Sequence, residues 1–276
     1  MRDTSLYYEV RGSGPVLLVV PGGAGHPMGF DAMTDRLTDR FTVVTYDPLG
    51  LAHGRLGEPV EEQRVRSWSD GARRVLTELL PDGESAYVLG TSSGAIAALD
   101  LLTSHPENLR HVIAHEPPVV EVLPDAARQR RMFTEVYETY RAAGLQAAGT
   151  RLLAGLADRT PDADQDSAEA DHESKAAAPQ PPSPTDELTT PMALFLTRVL
   201  RRFTAYAPDL DALKPLAPRL TLAAGVDSRG QLLHRTAALT AELSGADFVE
   251  FPGGHIGVAE HPAEFAERVA QVLLAA

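Results

Sequence analysis

Gly90-Thr91-Ser92-Ser93-Gly94 follows one apolar run and precedes a stripe of apolar residues at helical spacing. A serine on such a strand-to-helix turn sits in a strained conformation with its hydroxyl exposed. Glycines two residues to either side let strand and helix approach. At its own pKa a serine hydroxyl is a weak nucleophile and needs a base. Gly253-Gly254-His255-Ile256-Gly257 supplies one, on a glycine-rich loop after the last apolar run. The base needs an acid to fix its tautomer and to stabilise the imidazolium. Asp227, in Ala224-Gly225-Val226-Asp227-Ser228, is the expected acid. Glu116, which follows the strand-like Val112–Ala114, is the alternative.

Acyl chemistry through Ser92 also requires donors for an oxyanion. Pro21-Gly22-Gly23-Ala24-Gly25 ends another apolar run. The backbone N–H of Ser93, with that of Gly23 or Ala24, would form a two-donor oxyanion hole, each donor typically worth about 3 kcal/mol in the transition state. Position in the chain does not choose between Gly23 and Ala24. His26 and His53 are candidate substrate-polarising groups, with ordinary loop histidines as the plainer reading. No H-E-x-x-H or EF-type loop is present, nor a phosphate-binding glycine fingerprint, so neither a metal nor a cofactor is expected. The chain has no cysteine, which removes disulfides, thiol nucleophiles and thiolate metal sites together.

The elements that must position these groups are legible as alternation. Val16–Val20, Phe41–Tyr46, Ala86–Leu89, Val112–Ala114, Arg219–Ala224 and Asp247–Phe251 are short apolar runs ended by Gly or Pro, and Leu6–Val10 is strand-like. Such runs fit buried parallel strands. Helical stripes fill the gaps: Val65, Trp68, Ala72, Val75, Leu76 and Leu79; then Ile96, Leu99 and Leu102; then Phe265, Val269, Val272 and Leu273. Trp68 is read as core. Alternating β and α predicts an α/β fold, a mostly parallel sheet with helices on both faces. Between Glu116 and Arg219 only helical patterns occur, including Met132–Tyr140 and Leu145–Leu156. Residues 119–218 are therefore read as a helical insertion, with residues 1–118 and 219–276 as the core. The aromatics Phe133, Tyr137, Tyr140, Phe195, Phe203 and Tyr206 would line a pocket or pack the insertion's helices.

The chain has 276 residues and a formal charge of −13. Asp158–Glu187 alone holds nine acidic and two basic residues with five prolines. The stretch from about 158 to 190 is read as a flexible acidic Pro/Ala-rich loop. The acidic balance excludes nucleic acid as an expected partner. Apolar runs far shorter than the about 20 residues of a membrane span exclude insertion. No apolar signal segment opens the chain, so cytoplasm is the default compartment and a small molecule the expected partner. Composition does not address oligomeric state.

Together these motifs resemble the α/β-hydrolase fold superfamily, and most of all its small bacterial cap-bearing members. The order Ser92, Asp227, His255 matches that fold rather than the chymotrypsin or subtilisin orders. The resemblance implies a mostly parallel sheet of about eight strands with a helical cap inserted after the sixth. It implies a serine hydrolase acting on an ester, thioester, lactone or related acyl compound through an acyl-enzyme. A lyase, cyclase, acyl transferase or carbon–carbon hydrolase on the same fold is the alternative, and a non-catalytic binder the third reading. Two departures are present. Pro21 stands where such proteins often carry histidine. The segment Asp47-Pro48-Leu49-Gly50-Leu51-Ala52-His53-Gly54 lacks the arginine of their Asp-x-Arg-Gly-x-Gly-x-Ser and adds His53.

Overall fold

The computed structural model describes residues 6–158 and 186–275. Each of the seven strand-like runs becomes one strand: β1 (Tyr8–Gly12), β2 (Val16–Val20), β3 (Thr42–Tyr46), β4 (Ala86–Thr91), β5 (Leu109–His115), β6 (Leu220–Gly225) and β7 (Asp247–Phe251). They form one sheet in the order β1-β3-β2-β4-β5-β6-β7. All neighbours are parallel except β1, which runs antiparallel to β3. The resemblance implied about eight strands; the sheet has seven among the described residues, one for each run.

Successive strand residues point to opposite faces, which divides the core in two. Leu18, Val20, Val88, Val112 and Leu222 cluster with Trp68 and Val75 of the helix Val65–Leu79 and with Ile96 and Leu99 of Ser93–Ser104. Leu17, Val19, Leu89, Ile113 and Phe251 cluster with Met33 of the short helix Asp31–Thr34 and with Phe265 and Val269 of the C-terminal helix Pro262–Ala275. In chain order the first three helices are α1 (Asp31–Thr34), α2 (Val65–Leu79) and α3 (Ser93–Ser104).

Between β5 and β6 the described chain is helical. The long helix α4 (Ala126–Leu156) breaks at Gly144, whose φ of 82° and ψ of −173° are open to glycine. The two helices expected from separate stripes are thus the two halves of one interrupted helix. Phe133, Val136, Tyr140 and Leu152 of α4 pack with Ala193, Leu196 and Leu200 from the turns that follow, and with Leu232 and Leu233 of the helix Leu232–Ser244. Phe133, Tyr140 and Phe203 are buried, so these aromatics pack the helices. Tyr137 instead carries the Arg201 guanidinium over its ring at 3.8 Å. Residues 159–185 of the acidic stretch lie outside the described residues.

Two contacts fasten this region to the sheet. Phe203 packs against Trp68 of α2 with ring centroids 4.7 Å apart, and Trp68 Nε1 donates to Gln63 Oε1 at 3.1 Å. Buried Asp100 of α3 accepts from the Ser69 hydroxyl and from Tyr206 Oη (3.2 Å), with Arg66 at 3.3 Å. A buried carboxylate is tolerated when donors and a cation surround it, as here. Functional loops in open α/β sheets gather beyond the carboxyl ends of the strands. The ends of β2, β4, β5 and β6 and the loop after β7 carry the serine, the histidine, both candidate acids, the candidate amides and His26, while His53 follows β3.

Candidate active site

Ser92 follows β4 and immediately precedes α3. Its φ of 50° and ψ of −118° place a non-glycine residue in left-handed space. That strain, typically about 1–3 kcal/mol, persists only where surrounding structure imposes it. The packing is tight enough to impose it. A Cβ at Gly94 would lie 2.0 Å from the Val20 carbonyl oxygen, and one at Gly90 2.4 Å from that of Gly94. The Ser92 N–H donates to the carbonyl of His115 at 2.9 Å, which fastens the turn to the end of β5.

The glycine turn that follows β2 lies directly against this serine: a Cβ on Gly22 would sit 2.8 Å from Ser92 Cβ. The Gly25 N–H closes onto the Gly22 carbonyl at 2.9 Å, so Gly23 and Ala24 occupy the centre of the turn. Ser93 opens α3, where the first amides lack intrahelical acceptors. Ser93 is thus next to Ser92 in the chain, and Gly23 and Ala24 lie in the turn whose Gly22 packs on Ser92.

His255 meets Glu116 across 139 residues of chain. Its Nδ1 is 2.7 Å from Glu116 Oε2. Glu116 continues β5 by one residue, its N–H donating to the Ala223 carbonyl at 2.8 Å. It then turns at φ 47°. Ser92 and Glu116 are the two non-glycine residues with positive φ among those described, and both belong to this site. The Glu116 side chain is fully buried and satisfied on both oxygens. Oε1 accepts from the Gly225 N–H at 3.0 Å and from the Ser228 hydroxyl. Burial alone would raise its pKa. The hydrogen bond and charge of His255, the charge of His115 and the Ser228 hydroxyl outweigh burial and hold it down at about 2.

The structure brings Glu116, and not Asp227, against His255. Asp227 is exposed and makes no ion pair with His255 among the described residues; its backbone N–H holds the Gly253 carbonyl at 3.0 Å. Both carboxylates follow strand ends, but only Glu116 enters the buried gap between β5 and β6 from which His255 can be reached. Ser92 and His255 share no hydrogen bond among the described residues. Such catalytic contacts commonly tighten only when substrate is bound.

Ser228 and His115 were not singled out from sequence. Ser228 lies next to Asp227 in the chain, and a serine at that place carries no signal by itself. His115 is buried, its ring packed edge-on against Phe251 and Phe265, and neither ring nitrogen has a hydrogen-bond partner among the described residues. Burial, with a smaller opposing effect of Glu116 and an added one of His255, lowers its pKa to about 4. A pair of titratable residues, His115-Glu116, closing an otherwise apolar run is the available signal.

His26 and His53 also come together. Both line a cavity of about 270 Å³ beside β1 and β3. Among the described residues no group of three His, Cys, Asp or Glu side chains is placed to hold a metal, and no helix is long and apolar enough to cross a membrane.

A profile of the alpha/beta hydrolase family matches residues 16–268. A hydrolase of Bacillus subtilis (strain 168), named YraK and described as uncharacterised, is 32% identical over 274 residues, covering 98% of this chain and 92% of that protein. The fold is similar to that of a thermophilic esterase from Thermogutta terrifontis, with a TM-score of 0.68 at 16% identity, covering 98% of this chain and 93% of that one. It is also similar to that of the enol-lactonase from Burkholderia xenovorans LB400, with a TM-score of 0.60 at 16% identity, covering 98% and 96%. With its sheet order, its strained serine turn and a match along nearly its whole length, the chain belongs to the alpha/beta hydrolase family.

Proposed function

We propose that this hydrolase cleaves esters or lactones through a Ser92–His255–Glu116 triad and a covalent acyl-enzyme. The observation that carries this reading is the Glu116–His255 hydrogen bond at 2.7 Å, made by a carboxylate that two further donors hold ionised. A base so oriented donates Nδ1–H to the carboxylate and presents the lone pair of Nε2.

In the proposed reaction Ser92 Oγ attacks the acyl carbonyl while His255 Nε2 takes its proton. The carbonyl electron pair moves onto oxygen, which the Ser93 N–H and that of Gly23 or Ala24 stabilise. The imidazolium is stabilised by Glu116, which stays unprotonated. Collapse re-forms the carbonyl and breaks the acyl–oxygen bond, and His255 passes its proton to the departing alkoxide. Water then attacks the acyl-enzyme, giving its proton to His255. Collapse of this second intermediate returns that proton to Ser92 Oγ and releases the carboxylic acid. Esters and lactones are favoured because the nearby folds named above include an esterase and an enol-lactonase.

The test is labelling and turnover in parallel. Wild-type protein is expected to react covalently with a fluorophosphonate at Ser92 and to turn over nitrophenyl esters or simple lactones, and Ser92→Ala to do neither. Equal turnover by wild type and Ser92→Ala removes Ser92 from the reaction. Turnover without labelling removes the acyl-enzyme.

A further inference from the structure

The turn at residues 225–228, which carries the acid expected from sequence, touches both members of the Glu116–His255 pair. The Gly225 N–H donates to Glu116 Oε1 at 3.0 Å, and the hydroxyl of buried Ser228 donates to the same oxygen. The Gly225 carbonyl lies 2.9 Å from Ser228 Oγ as a second acceptor. The hydroxyl has one proton to give, and an anionic carboxylate is the stronger partner. Both donors therefore fall on Oε1 and leave Oε2 to His255 Nδ1.

The backbone of the same turn holds the loop that bears the histidine. The Asp227 N–H donates to the Gly253 carbonyl at 3.0 Å. A Cβ at Gly225 would lie 2.3 Å from that carbonyl oxygen and 2.6 Å from Gly254 Cα, so turn and loop pack backbone to backbone just before His255. One short turn thus fixes the acid through a side chain and an amide, and the base through its loop.

A second buried carboxylate beside a histidine lacks such a turn and serves as an internal comparison. Asp47 follows β3, and its side chain is 1% exposed. Its Oδ2 receives the Ala52 N–H at 2.8 Å and has His53 Nδ1 at 3.3 Å, while Oδ1 has no hydrogen-bond partner among the described residues. The carboxylate–imidazole separation is 2.7 Å where the far oxygen is held and 3.3 Å where it is not. A glutamate side chain also has one more rotatable bond than an aspartate, so Glu116 has more freedom to be removed.

We propose that Ser228 is a positioning residue of this hydrolase: its hydroxyl pins Glu116 so that Oε2 meets His255, while the flanking backbone pins the histidine loop. This role rests on the proposed Ser92–His255–Glu116 triad.

A double-mutant cycle on a nitrophenyl ester tests it, with Ser228→Ala made in the wild type and in Glu116→Ala and the slow variants assayed at high enzyme concentration. In the wild type, Ser228→Ala is expected to lower kcat about tenfold with KM within about twofold, because the orientation of the base matters to the reacting state and not to the bound ester. In Glu116→Ala, which removes the group Ser228 acts on, the same change is expected to cost less than about twofold. Ser228→Thr keeps the hydroxyl and is expected to recover most of the rate. Because the position is buried, melting curves accompany every variant, and Ser228→Cys, close to serine in size with a weaker donor, is expected to fall between serine and alanine. Equal costs of Ser228→Ala in the two backgrounds, or a loss confined to KM, overturn the positioning role and leave the triad standing. Wild-type turnover by Glu116→Ala removes the triad acid, and the positioning role with it.

Discussion

The two carboxylate–histidine pairs look alike in outline and differ in what surrounds the acid. In both, the acid is buried and the histidine is about one-third exposed: 31% for His255 and 29% for His53. Glu116 spends both oxygens, one on His255 and the other on Gly225 and Ser228. Asp47 places both donors on one oxygen and leaves the other unpaired. The first pair also adjoins the strained Ser92 turn through the His115 carbonyl, whereas the second adjoins a cavity. A fully satisfied carboxylate is suited to hold a base in one orientation; a half-satisfied one is fixed less firmly.

Mutations can break this contrast, beginning with the most severe. Ser92→Ala should lower kcat on a nitrophenyl ester by about 10⁴-fold or more, because the remaining donors stabilise an oxyanion but supply no nucleophile. Glu116→Gln should cost about 10³- to 10⁴-fold in kcat/KM by misorienting His255, while Asp227→Asn stays within about 2-fold. The opposite ranking would return the acid's role to Asp227.

Ser228→Ala should act more mildly. A hydrogen bond to a charged group contributes about 1.5–3 kcal/mol, and some of that loss will appear as a roughly tenfold fall in kcat/KM. The variant also has a pH signature. Glu116 is held at about 2 against an ordinary 4.5, so its contribution to stability is complete above pH 4.5 and lost as pH falls through about 2. Removing the hydroxyl raises the folded-state value and shrinks that contribution. Denaturant titrations from pH 3 to pH 7 should therefore show a stability loss in Ser228→Ala that is largest above pH 4.5.

The smallest effect at neutral pH is expected from His115→Phe. Buried His115 has a folded pKa near 4 against an ordinary 6.5, so it opposes folding progressively as pH falls through that window. The phenyl ring should flatten the acid side of the stability profile by up to about 1 kcal/mol per pH unit between 6.5 and 4. Parallel profiles for the two proteins would show that His115 is not held neutral by the fold.

Much of the architecture was legible because it depends on local pattern. Val16–Val20 and its five counterparts are short, apolar and ended by Gly or Pro, and each formed a strand. The G-x-S-x-G turn was legible for a steric reason: Gly90 and Gly94 sit where a Cβ would strike backbone. The break at Gly144 appeared as two stripes instead of one. The aromatic stripe of the inserted region was ambiguous, because periodicity reports that a face is covered and not what covers it.

By itself the sequence determined the strands, the serine on its turn, the histidine on its loop and the set of acids that could serve it. The tertiary structure decided which acid meets His255. Asp227 and Glu116 both follow apolar runs, and nothing local distinguishes them. The pairing of β5 with β6 buries the Glu116 carboxylate against Gly225, Ser228 and His255, while Asp227 faces solvent. The same holds for His26 and His53, whose meeting around one cavity depends on loops from different strands. Backbone conformation is set largely by neighbours in the chain. Hydrogen bonds between residues 109 or 139 positions apart are set by strand register and burial, which exist only once the sheet has formed.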